Sequence, residues 1–194
     1  YNKTHLVPFG EYVPLQDWLG FIFEPLVKEV SGYSPGESMP LGEVHGTKFA
    51  TLICYEGIFP ELSREFVTQG AEILVNITND SWYGKTSAPR QHLEMSAFRA
   101  VENRKFLLRC ANSGYSAIIN PLGEKVKQLG LFQEGVVEAV VSGNSHRSIY
   151  FYFGEWISIS LISLTILYSM GLCFRGRAKR EHRRRFPGKT RKGA

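Results

Sequence analysis

The sequence predicts an α/β layered domain followed by one membrane-spanning helix. Three observations predict it. Strand-like apolar runs alternate with helix-like amphipathic runs through the first 149 residues. A nineteen-residue run without a charge, WISISLISLTILYSMGLCF, occupies Trp156 to Phe174. The charge is segregated around it: residues 175–194 hold ten Lys or Arg against one Glu, a net of +9. Residues 1–174 hold 13 basic and 17 acidic groups, a net of −4, so the overall +5 belongs to the tail. That distribution argues against a nucleic-acid-binding globule. At 194 residues, 43% hydrophobic and 21% charged, the chain has the size and composition of one globular domain with a buried core. It opens at Tyr1 without an initiator Met or a signal pattern, and so reads as a piece of a longer protein.

The elements follow in order. Residues 12–45 are rich in Pro, Gly and aromatics and read as an irregular surface stretch. Lys48–Ile53 is an apolar strand ending at Cys54, and Phe59–Gln69 is helix-like. Glu72–Thr78 (EILVNIT) reads as a strand buried on both faces. Pro89–Lys105 reads as a helix, with Pro near its start and Leu93, Ala97, Ala100 and Val101 on one side. Phe106–Ala111 and Tyr115–Asn120 are strands around Asn112-Ser113-Gly114, and residues 121–124 are a turn. Gly135–Val141 is expected as the last strand. These elements make a domain over residues 1–149. Residues 150–174 are an aromatic flank (Tyr150, Phe151, Tyr152, Phe153, Trp156) and the membrane helix, at ~1.5 Å per residue about 28 Å long. Residues 175–194 are a basic tail, placed in the cytoplasm by the bias of Lys and Arg towards that side.

Three cysteines, Cys54, Cys110 and Cys173, are too scattered for a disulfide framework, and the five histidines lack ligand spacing. Neither a metal nor an organic cofactor is expected. The informative segment is Thr51-Leu52-Ile53-Cys54-Tyr55-Glu56. A Cys at the end of a buried strand, before a turn and a helix, is held in place, and nearby helix N-terminal N–H groups favour its nucleophilic form. Read by itself, it is a small buried hydrophobe, as most lone free cysteines are. Lys3 and Glu11 stand either side of the Pro8-Phe9-Gly10 turn. A Lys near such a Cys stabilises an oxyanion, and a carboxylate orients the Lys or handles a proton; otherwise the two are a surface ion pair. Asn79-Asp80-Ser81-Trp82-Tyr83-Gly84 follows a buried strand, where sites gather in α/β sheets, or is a plain polar turn.

HLVPFGEYVP, LICYEGIFPEL, ITNDSWYGKT, QHLEMSAFRAVEN and ANSGYSAIINPLGE follow one another in the order of the nitrilase superfamily. With YNKTHLVPFGE, ICYE and a following membrane helix, the sequence resembles the apolipoprotein N-acyltransferases among them. The resemblance covers nearly all of residues 1–175. It implies a nitrilase-type αββα four-layer sandwich, incomplete at the N-terminus here, on the periplasmic face of a bacterial inner membrane. It implies a Glu–Lys–Cys triad in which Cys54 is acylated and Lys3 stabilises the oxyanion. Glu11 matches the family's additional acidic residue. Tyr55 and Glu56 match the residues after the nucleophile, with the Tyr55 backbone N–H as an oxyanion donor, and Trp82 matches a position lining the lipid pocket. The triad's Glu precedes the Lys in the family, so the base is expected before Tyr1, and neither Glu11 nor Glu56 fills that role. The implied partners are a phospholipid acyl donor, a diacylglyceryl apolipoprotein acceptor and the membrane, with no nucleic acid. The alternatives are an amidase or nitrile hydrolase of the same superfamily, or a non-catalytic membrane-tethered relative.

Overall fold

The computed structural model describes residues 1–14 and 33–185. Part of the irregular stretch and the end of the basic tail therefore lie outside the described residues. A first unit ends at Tyr152 and a second begins at Phe153.

In the first unit, β1 (Gly42–Val44), β2 (Thr47–Ile53), β3 (Ile73–Thr78), β4 (Phe106–Ala111), β5 (Ser116–Ile119) and β6 (Lys125–Leu129) form one sheet in that order. The central strands β2, β3 and β4 are parallel, and the flanking pairs are antiparallel. The parallel pairs need crossovers, supplied by α1 (Pro60–Thr68) and α2 (Ala88–Asn103), each with Pro in its first turn. α2 ends on Arg104 in the left-handed conformation (φ 54°), whose N–H returns to Ala100 and Val101. Alternate strand residues, among them Ala50, Leu52, Leu74, Leu107 and Ile119, meet Leu62, Phe66 and Val67 of α1 and Leu93, Ala97 and Ala100 of α2 in the core. Each such Leu contributes about 1.5–3 kcal/mol by burial.

Both helices lie on this one face. The other face presents Phe49, Ile73, Val75 and Leu108 to open cavities of about 730 and 480 Å³. The described residues thus form one sheet and one helical layer, two of the four layers that the resemblance implies.

Two expectations are corrected. Residues 135–141 form no strand; they run over the open sheet face beside Val75 and Leu108, out of reach of any ladder, with Val136 and Val140 exposed. The edge is taken instead by β6, whose Lys125, Lys127 and Gln128 hide it from a hydrophobic reading and suit an unpaired edge. Within the supposedly irregular stretch, β1 pairs with β2 across the two-residue turn His45-Gly46, both with positive φ.

A short α3 (Ile149–Phe153) leads towards the second unit. Its approach is pinned from below: Lys105, buried after α2, donates to the carbonyls of Asn144 at 2.5 Å and His146 at 3.0 Å. Burial lowers the Lys105 pKa below its ordinary value. The second unit contains α4 (Trp156–Arg185), unbroken through Phe174 into the basic run. Its segment Trp156–Cys173, with a mean hydropathy of 1.7 and no buried residue, is the one helix among the described residues long and apolar enough to cross a membrane.

Candidate active site

The parallel order of β2, β3 and β4 brings their C-terminal ends together, and the chain's polar side chains gather there. At the end of β2 the backbone turns abruptly. Cys54 has φ 52°, in the left-handed region that costs a β-carbon residue about 1–2 kcal/mol, and begins a 3-10 turn through Ile58. The Cys54 side chain is half-buried.

Glu56 fastens this turn to the N-terminal loop. Its carboxylate is 0% exposed. Oε1 accepts from Tyr1 Oη (2.8 Å), the Thr4 N–H (2.7 Å), Thr4 Oγ1 (3.1 Å) and the His5 N–H (3.1 Å). Oε2 accepts from the Ile53 N–H at 2.7 Å. A buried carboxylate has to be met by donors of this kind. Burial, reinforced by the adjacent carboxylate, holds the Tyr1 hydroxyl pKa well above its usual value. The structure therefore places Glu56 as the tie between two loops rather than on a cavity wall.

The tied loop carries Lys3 and Glu11. Lys3 Nζ donates to Glu11 Oε1 at 2.7 Å and to Oε2 at 2.6 Å, and the Val7 N–H donates to the same carboxylate at 2.8 Å. The Phe9 turn (φ 59°) folds the loop so that residues eight apart meet. Lys3, Glu11 and Ile53 border a cavity of about 710 Å³. On the other side of Leu6 lies a more apolar cavity of about 570 Å³, lined by His5, Tyr12, Tyr33, Tyr55 and Phe59. The Tyr55 ring packs edge-on against Phe59, with centroids 5.0 Å apart.

Behind the Cys54 turn lies a buried polar cluster that sequence reasoning missed. Asp80 is 1%, Arg109 3% and His92 5% exposed. Arg109 Nη2 donates to Asp80 Oδ2 at 2.8 Å, and Thr78 Oγ1 donates to Asp80 Oδ1 at 2.9 Å. His92 Nδ1 lies 2.9 Å from the same Oδ1. Arg109 also donates to Asn76 Oδ1, to Ser96 Oγ and to the Tyr115 carbonyl. Two members reach the Cys54 carbonyl: Asn76 Nδ2 and His92 Nε2 each lie 3.3 Å from Cys54 O. Gly57 allows the close approach, because a Cβ there would stand 2.8 Å from Ser96 Oγ and 3.0 Å from Asn76 Nδ2.

Burial alone would raise the Asp80 pKa, but the His92 hydrogen bond and the Arg109 charge outweigh it and hold the carboxyl below its ordinary value. Burial lowers the Arg109 pKa despite the opposing charges of Asp80 and Cys54. Burial, reinforced by the Asp80 carboxylate, pushes the Tyr83 pKa up from its ordinary value. Trp82, by contrast, is 80% exposed and borders none of the cavities described. Its neighbour Tyr83 turns inward, edge-on to His92 at 6.1 Å. Among the described residues, no cluster of His, Cys, Asp and Glu suited to holding a metal ion is present.

The missed residues had a signal. Asn76 and Arg109 are polar intruders in the apolar runs ILVNIT and FLLRCA, both at inward-facing positions, and they pair in the β3–β4 register. His92, Ser96, Arg99 and Asn103 recur at helical spacing along α2, beside its apolar stripe.

Known proteins similar to this chain place the site in context. An apolipoprotein N-acyltransferase of Geobacter metallireducens is 46% identical over 154 residues, covering 79% of this chain and 29% of that protein. One of Nitrosomonas europaea is 38% identical, covering 92% of this chain and 36% of the relative. One of Pseudomonas aeruginosa is 33% identical, covering 97% and 36%. The chain thus spans about a third of the length of these relatives. Among solved structures, an amidase of Nesterenkonia sp. AN1, with the acetamide moiety of fluoroacetamide on its active-site cysteine, aligns with a TM-score of 0.48. It is 26% identical, over 68% of this chain and 45% of that one. Saccharomyces cerevisiae Nit3 aligns with a TM-score of 0.47 at 25% identity, over 56% and 42%. Residues 1–150, which carry the Cys54 turn, the Lys3 loop and the cluster behind them, match the carbon-nitrogen hydrolase family, and to that family this chain belongs.

Proposed function

We propose that this chain is part of a bacterial membrane enzyme that moves an acyl chain from a phospholipid to the N-terminal amine of a diacylglyceryl apolipoprotein. The observation that carries the reading is the strained Cys54 turn bound through Glu56 to the loop holding Lys3. The similarity to N-acyltransferases supports it, because a match over 97% of the chain takes in the apolar helix as well as the site. That helix favours a lipid acyl donor over the small amides of a soluble amidase.

The chemistry follows from the parts. The Cys54 thiol gives its proton to a base, proposed to be a glutamate outside these 194 residues, and the sulfur attacks the ester carbonyl. Lys3 and the Tyr55 N–H stabilise the oxyanion, whose collapse expels the lysophospholipid alkoxide, and the base returns the proton to it. The thioester left on Cys54 is attacked by the lipoprotein amine. The amine loses a proton, the amide forms and the thiol is restored. The apolar cavity lined by Tyr55, the residue after Cys54, and by Phe59 offers a surface suited to an acyl chain. Glu11, bidentate on Lys3, fixes the ammonium, and Trp82, exposed to solvent, offers contact to lipid.

In the full-length protein, Cys54→Ser is expected to abolish transfer, since a hydroxyl is a far weaker nucleophile than a thiolate near neutral pH. Mass spectrometry after incubation with phospholipid should find an acyl adduct on Cys54 and on neither Cys110 nor Cys173. An adduct on another cysteine, or full activity in the Ser variant, sinks the assignment.

A further inference from the structure

We propose that His92 is a positioning residue: by holding the Cys54 carbonyl it aims the Tyr55 N–H, the oxyanion donor, into the site. The inference rests on the reading of Cys54 as the nucleophile. It begins with the peptide unit itself. Cys54 O and Tyr55 N belong to one planar peptide group, and no peptide bond in the described residues is cis. In a trans peptide the C=O and N–H point in opposite directions. Whatever fixes the Cys54 carbonyl on the buried side therefore fixes the Tyr55 N–H on the opposite side.

Two side chains fix it, from two different elements. Asn76 Nδ2, on β3, divides itself between Leu52 O at 2.9 Å and Cys54 O at 3.3 Å. His92 Nε2, on α2, approaches Cys54 O at 3.3 Å. Asn76 spans the turn it supports, whereas His92 is the contact made on that carbonyl from the helical layer. Its ring has little freedom. Nε2 faces the Cys54 carbonyl oxygen, which only accepts, and Nδ1 lies 2.9 Å from Asp80 Oδ1, so the ring is held at both edges. Arg109 Nη2 lies 3.2 Å from Nδ1 and donates to Asp80 Oδ2 at 2.8 Å, so guanidinium and carboxylate together border that edge of the ring. Ser96 Oγ donates to the His92 carbonyl one turn back along the helix, at 2.9 Å.

The cluster has a shape that burial alone does not require. An apolar core would fill the same space without desolvating a carboxylate, a guanidinium and an imidazole. What the polar groups add is direction, a carbonyl held at a strained residue whose φ of 52° would otherwise relax. Asp80 and Arg109 do not touch Cys54 O; they act through His92 and Asn76.

The test separates aiming the N–H from keeping the nucleophile in place. Alkylation of Cys54 by iodoacetamide passes through no oxyanion, whereas acylation by a p-nitrophenyl fatty-acid ester does. Both are followed on the full-length protein in detergent, with mass spectrometry assigning adducts to Cys54. His92→Phe, which keeps a ring but removes both donors, should slow acylation through kcat by about 10²-fold, the effect of losing one oxyanion donor, with KM and the alkylation rate near wild type. His92→Gln keeps an N–H within reach of Cys54 O and should recover acylation to within about 10-fold of wild type. Unchanged acylation in His92→Phe overturns the proposal. So does a parallel loss of alkylation and acylation in both variants, which marks a structural role. Wild-type protein that alkylates at Cys54 but takes no acyl group from the ester overturns the nucleophile reading, and this inference with it.

Discussion

An alanine at Gly114 would put its Cβ 2.2 Å from Asp80 Oδ2 and 2.8 Å from the Asp80 Cγ, closer than atoms can stand. The carboxylate cannot yield, because both oxygens are committed to Arg109, Thr78 and His92 in a buried setting. Gly114→Ala is therefore expected to lose more than 2 kcal/mol of stability, in the range of overpacked and network-breaking substitutions, and to lower activity without altering any residue that touches substrate. A urea melt of the full-length protein, run beside the turnover assay, checks it; a variant as stable as wild type would contradict it. Sequence reasoning picked out Cys54, Lys3 and Glu11 because strand ends and a Lys–Glu turn are visible as chemistry. It missed His92 and Arg109, because a polar residue beside apolar ones is legible only once the register shows which way it faces, and it singled out Asp80 only within a polar segment that reads equally as a turn. Glu56 was assigned by its neighbourhood to Cys54. That it spans to Tyr1, Thr4 and His5, more than fifty residues away, has no local signature.

At the scale of elements, the central strands and both crossover helices were legible from periodicity, to within one or two residues at their ends. The errors fell on the periphery, where β6 is polar and residues 135–141 are apolar without a ladder. Hydropathy alone does not report pairing: β6 pairs without being apolar, and residues 135–141 are apolar yet neither paired nor, at Val136 and Val140, buried. The same pattern reading carries the topology of α4. Seven Lys or Arg lie between Arg175 and Arg185, on the helical continuation of the apolar segment. Carrying such charges across a membrane against its potential costs about 2.3 kcal/mol each per 100 mV. The expected arrangement has residues 1–149 in the periplasm and the basic end in the cytoplasm. In a full-length background lacking the native cysteines, a membrane-impermeant thiol reagent applied to intact cells should label Val140→Cys, which is fully exposed, and spare Gly188→Cys. The reverse pattern would make an outward-facing lipoprotein acceptor untenable and favour a cytoplasmic amidase.

For the molecule as a whole, the Asp80 cluster couples the site to acid stability. The folded carboxyl titrates below its ordinary value of 3.8. Its contribution is then fully present above that pH and is lost as pH falls through the lower folded value. The full-length protein should hold a steady unfolding midpoint from neutral pH to about 5 and weaken steeply below about 4. Asp80→Asn should start about 3–5 kcal/mol less stable, with Arg109 left unpaired, and show a shallower decline in acid. Urea melts across that pH range decide it, and equal acid slopes would remove Asp80 from the account. One consequence of the Glu56 tie lies outside both energetics and catalysis. The loop bearing Lys3 is held to the Cys54 turn by contacts through space, from Tyr1, Thr4 and His5 to one carboxylate and from the Gly36 N–H to the Lys3 carbonyl. None of these runs along the covalent chain between Pro14 and Tyr33. The two halves of the site are thus matched surface to surface, one carboxylate gathering three residues of a loop that lies more than fifty positions earlier in the chain.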